Sequence, residues 1–155
     1  GYSDFTPENT HYDLGKALKN LYGEQGKRDP TPNNLLYSEG QLAAFKFPTH
    51  GLLEELYANK NANTRLTLAF MPYHYFHQGA EEGKIYQIRT ECKNRLVEMF
   101  RMVENVNVVD FMFHSPITKN DHNYWDSLHY KREVAELIVH EIAENSQTEN
   151  MRVLK

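Results

Sequence analysis

The sequence holds one cysteine, one tryptophan and no long apolar run, and each scarcity excludes something. A lone Cys92 permits neither an internal disulfide nor a thiolate-rich zinc site, and leaves the redox compartment open. The longest charge-free stretch, Leu66 to Ala80, is interrupted by Pro72, His74, His77 and Gly79 and is shorter than the roughly 20 apolar residues a spanning helix needs. No membrane span is expected. Basic runs are also missing: Lys+Arg is 17 against Asp+Glu 21, a net charge of -4, which speaks against a nucleic-acid or anionic-membrane surface. No internal repeat or low-complexity segment is present.

What remains is an ordinary globular composition, with 155 residues, 40% hydrophobic and 25% charged. A chain of this length buries about 70% of its unfolded surface on folding, so one domain over 1–155 needs no disulfide or metal to be stable. The start Gly1-Tyr2-Ser3-Asp4 has neither an initiating Met nor a basic-then-apolar leader, and reads as a processed end or the boundary of a C-terminal fragment.

The two parts of the chain differ. Residues 1–62 carry dense turn signals, among them Gly23, Gly26, Asp29-Pro30, Pro32-Asn33-Asn34, Gly40, Pro48 and Gly51. Two short helices are predicted there, Tyr12 to Tyr22 and Gly51 to Lys60, separated by an irregular excursion from Gly23 to Pro48. Residues 63–145 are regular. Arg65 to Met71 is a strand suited to burial on both faces, and Val106 to Phe113 is a second. Between them Ile85, Ile88, Cys92, Leu96, Met99, Phe100 and Val103 recur every three or four residues, the stripe of an amphipathic helix on which Cys92 reads as core. Lys131 to Glu144 forms a closing helix with Val134, Leu137, Ile138, Val139 and Ile142 mostly on one stripe.

Strand, helix, strand, helix implies a parallel βαβ unit with a right-handed crossover. The fold class is therefore α/β, a three-layer parallel sheet flanked by helices of flavodoxin-like type, incomplete because no first strand is found. Ligands in such folds sit beyond the carboxyl ends of the strands, which directs attention to Pro72–Lys84 and His114–Tyr130.

The second segment contains Tyr124-Trp125-Asp126-Ser127-Leu128-His129-Tyr130. In an Asp-x-x-His turn, Asp126 orients one ring nitrogen of His129 and leaves the other as a general base. The same residues also fit a plain helix start, with Asp126 or Ser127 as cap and His129 packed under Trp125.

Asn123 to Ala135 resembles the final block of the SGNH (GDSL-type) hydrolases, closest to the bacterial SGNH-like proteins of the cell envelope. The likeness extends more weakly over Arg65 to Ile142, including Met71-Pro72-Tyr73-His74. It implies a serine esterase or acetyl transferase acting on carbohydrate or envelope esters in an extracytoplasmic compartment. Asp126 and His129 would be its catalytic pair, with no cofactor. The family's Gly-Asp-Ser block is not matched: Ser3 and Ser38 lack a preceding strand, and Ser127 reads as a turn element. The nucleophile is expected outside this segment or lost, and without it the domain is a noncatalytic carbohydrate-binding or protein-interaction module.

Tyr73, His74, His77, Tyr124 and Trp125 are the expected substrate-binding residues, a stacking surface for a sugar ring. Packing of these rings onto the sheet is the plainer alternative. A zinc set drawn from His74, His77 and His129, or from the His74/His77 pair with His114, Asp121 or His122, is a further alternative. His114 itself reads as a strand-end histidine satisfied by main-chain groups. The residues leave the oligomeric state open.

Overall fold

The computed structural model describes residues 11–32 and 35–155. The fold is mixed α/β, with seven α-helices and a three-stranded sheet among the described residues. β1 (Leu66–Phe70) and β2 (Val106–Asp110) pair in parallel, with Leu66 opposite Val106 and Phe70 opposite Asp110. The crossover between them contains α4 (Tyr75–Gln78) and α5 (Lys84–Phe100). The expected βαβ unit is thus present.

The sheet is not wholly parallel. β3 (Arg152–Val153) adds to the other edge of β2 in antiparallel sense, giving the order β1-β2-β3. A strand of two residues is too short to carry a periodic signal, which is why the sequence concealed it.

Alternation along β2 divides the core. Val106 and Val108 pack with Leu96 and Phe100 of α5 and with Leu53 and Tyr57 of α3 (Pro48–Asn59). Val109 turns the other way, into a cluster with Val134 and Ile138 of α7 (Arg132–Glu144), together with Phe111, Ile117 and Met151. A two-residue side-chain period is what lets one strand serve both clusters.

The first part of the chain is more ordered than its turn signals imply. α1 (Leu14–Tyr22) begins at Asp13, whose side chain accepts the Lys16 N–H, and ends at Gly23 with φ 67°. α2 (Glu39–Ala44) lies inside the stretch expected to be irregular and opens with a capping box between Ser38 and Gln41. α1 docks through Leu21 and Tyr22 against Tyr75 and Tyr124, and thereby closes onto the two segments beyond the strand ends.

Candidate functional site

The segment after β2 starts with α6 (Pro116–Lys119), passes a short 3-10 turn at Asp121–Asn123, and folds back on itself between Tyr124 and Tyr130. Trp125 N–H donates to His129 O at 2.8 Å, and Lys131 N–H to Asn123 O at 2.8 Å. Asp126 occupies the tip of this loop. Its Oδ1 accepts the main-chain N–H groups of Leu128 at 2.8 Å and His129 at 2.9 Å, an arrangement that fixes the carboxylate before any ligand arrives.

The His129 ring completes the turn. Nδ1 lies 2.7 Å from Asp126 Oδ2 and 2.9 Å from Oδ1. A carboxylate only accepts, so Nδ1 carries the hydrogen and the neutral ring holds its lone pair on Nε2. Burial alone would raise the Asp126 pKa, but the Leu128 N–H and the ring and N–H of His129 outweigh it and keep the carboxyl below its usual range. The His129 side chain is 56% exposed, and with Trp125, Leu128 and Tyr130 it lines a groove of about 270 Å³. The sequence alternative of a histidine packed away beneath Trp125 does not describe this arrangement.

The two segments beyond the strand ends are stitched together. His74 N–H donates to Ser127 O at 3.0 Å, and Tyr124 OH donates to Pro72 O at 3.0 Å. His77, on the exposed side of α4, feels the field of Asp126, which raises its pKa against the larger lowering effects of burial and of Arg89. Tyr73 is half-buried and meets the His77 ring edge-on at 5.7 Å. Trp125 is half-buried and braced by Tyr12 at 5.2 Å and by Asn20, whose Nδ2 donates to Trp125 O at 3.1 Å.

Two expected binding residues lie elsewhere. His74 and Tyr124 are fully buried, with no surface left to stack on a sugar. The plainer alternative, rings packed under the loops, describes both. His74 Nδ1 accepts the Phe76 N–H, so its Nε2 carries the hydrogen and donates to Asp121 Oδ1 at 3.0 Å. Asp121 also accepts from Tyr22 OH at 2.7 Å and Lys27 Nζ at 2.5 Å. Burial pushes the Asp121 pKa up, but these donors outweigh it and hold the carboxyl below its usual range.

The zinc sets are not assembled: among the described residues no three His, Cys, Asp or Glu side chains are placed to hold a metal ion. His114 Nε2 donates to Gly79 O at 3.0 Å, as a strand-end histidine satisfied by the main chain does. Ser38 is the cap of α2, and Ser115 caps α6 in the same way. Ser3 lies outside the described residues. No helix among the described residues is long and apolar enough to cross a membrane.

Three residues here escaped the sequence reading. Tyr22 and Lys27 hold Asp121 from a part of the chain with no motif, and Arg89 stands beside Tyr73 and His77. Only the Asp121 carboxylate carried a local signal, as one of several conceivable metal ligands.

No protein-family model, no curated protein and no solved structure matches the chain.

Proposed function

We propose that the Asp126–His129 pair is the orienting and basic half of an acyl-transfer site, in a domain of SGNH-hydrolase type. On this reading the sheet belongs to a three-layer α/β architecture whose first strand is not among the described residues. The observation that carries the proposal is the 2.7 Å contact between Asp126 Oδ2 and His129 Nδ1 at the edge of an open groove beyond the carboxyl ends of β1 and β2.

The chemistry follows from the tautomer. His129 Nε2 takes the proton of a serine hydroxyl as its oxygen attacks an acyl carbonyl. The resulting imidazolium is stabilised by Asp126 and returns the proton to the leaving alcohol oxygen. Water, or a second alcohol in a transferase, then repeats the step on the acyl-serine. The attacking serine is taken to lie outside the described residues. Trp125 and Tyr130 line the groove with aromatic rings, which suits a carbohydrate ester as substrate.

A second reading has its own support: Ser38 and Ser115 are both committed to capping helices. A domain without a nucleophile would use the same groove to bind a carbohydrate or protein partner without turnover. Hydrolysis of 4-nitrophenyl acetate separates the two. The acyl-transfer reading expects turnover by the wild type and a loss of at least a hundredfold in His129→Ala; equal rates in both proteins would contradict it.

A further inference from the structure

Arg89 is a half-buried guanidinium with no counter-ion among the described residues. Through Nη1 it donates to the main-chain oxygen of His77 at 3.0 Å, and it lies 5.6 Å from the centre of the Tyr73 ring. Burial pushes its pKa down, and the one ionisable group that opposes this is Tyr73, not an aspartate or glutamate. Among the described residues no carboxylate is within ion-pair distance of it.

Its surroundings add charge of the same sign. Lys93, also on α5, lies in the fields of both Arg89 and Arg152. The carboxylate of this group, Asp110 at the end of β2, is taken by Lys93 at 2.8 Å. Glu81 faces His114 instead, 3.6 Å from Nδ1. Near the carboxyl ends of the parallel strands Asp110 is thus committed to Lys93, and Arg89 has no carboxylate of its own among the described residues. A partly desolvated guanidinium is costly when unpaired, and its planar fork matches two oxygens of a carboxylate or phosphate.

The same corner reaches the candidate site. His77 senses Arg89 and Asp126 with opposite effect, and the His74-to-Ser127 hydrogen bond ties the His74–His77 turn to the Asp126–His129 loop. We propose that Arg89, with Tyr73 and His77 beside it, is an anion subsite adjoining the His129 groove, and that it receives a carboxylate or phosphate borne by the substrate. The word substrate rests on the acyl-transfer reading; the capacity to bind an anion does not.

Calorimetric titration of the full chain with inorganic phosphate and, separately, with succinate tests the subsite at low salt. Saturable binding of at least one is expected, weakened about tenfold or more in Arg89→Gln and less in Arg89→Lys, which keeps the charge but loses the fork. Preference for phosphate or for succinate identifies the oxyanion. Circular dichroism confirms that each variant is folded, and Arg89→Lys serves should Arg89→Gln fail to fold. Absence of binding to the wild type, or equal affinity in the folded Arg89 variants, overturns the subsite. A second arm compares 4-nitrophenyl hemisuccinate with 4-nitrophenyl acetate: the wild type should favour the anionic ester, and Arg89→Gln should lose about tenfold of that preference. If neither ester turns over while the anion still binds, the acyl-transfer reading falls and the anion site stands.

Discussion

His74 and Asp121 form a buried pair, Nε2 to Oδ1 at 3.0 Å, and the His74 N–H, bonded to Ser127 O, ties it to the loop that carries the exposed pair of His129 and Asp126. The two pairs share a chemistry and differ in access. The His74 side chain is wholly enclosed, whereas the His129 side chain is 56% exposed. The inner pair organises: its members reach α1 through Tyr22, the Lys27 segment, and the 124–130 loop through Ser127 O.

Removing the charge of the inner carboxylate should therefore loosen the whole corner. Asp121→Asn keeps the shape but cannot accept from Tyr22, Lys27 and His74 together, and is expected to lower stability by about 2–3 kcal/mol in urea unfolding. A change under about 0.5 kcal/mol would show that the three donors are satisfied equally well by an amide.

Acid should weaken the fold in two stages. Burial lowers the pKa of His74, and also of His50 and His114, below the ordinary 6.5. The unfolded chain then binds protons that the folded one refuses, so stability is complete above pH 6.5 and falls as pH drops below it. Asp121 and Asp126, also lowered, add a further loss as pH falls below about 4. Melting curves from pH 7.5 to 3 should show a melting temperature that declines through both windows; a value constant between pH 7 and 5 would contradict the first.

Lys93 and Asp110 form an enclosed ion pair, with side-chain exposures of 11% and 2%. Lys93 also donates to Met112 O, and Asp110 Oδ1 accepts the Met112 N–H at 2.8 Å, so the pair shapes the chain as it leaves β2. Lys93→Met leaves a buried carboxylate unpaired and should cost about 3–5 kcal/mol, of which Asp110→Asn added to it recovers part. Additive losses in the double variant would mean the two groups are not coupled.

Much of this arrangement was legible because it is periodic or local. The three-and-four spacing from Ile85 to Val103 located α5, and the apolar runs at Arg65–Met71 and Val106–Phe113 located both parallel strands. The Asp-x-x-His contact spans three residues, so the spacing offers it, but the same spacing fits a plain helix start and does not choose between the two. α2 has only six residues, too few for a periodic stripe amid dense turn signals, and its Ser38-x-x-Gln41 capping box is its one local mark. Pro48 opens α3 at its first turn, whereas the periodicity pointed to Gly51. The contacts that seal His74 and Tyr124 join residues far apart in the chain: Tyr22 meets Asp121, and Tyr124 meets Pro72. Pairings of that range leave no trace in local patterns, so these two rings read as surface when they are core.

The most direct test of the central claim is labelling of the full chain with a fluorophosphonate, followed by peptide mapping. A serine activated by His129 should form a stable phosphonyl adduct in the wild type, slowed at least a hundredfold in Asp126→Asn and absent in His129→Ala. A wild-type chain that takes up no label on any serine, or one labelled equally in all three proteins, would contradict the assignment of Asp126 and His129 as an acyl-transfer pair.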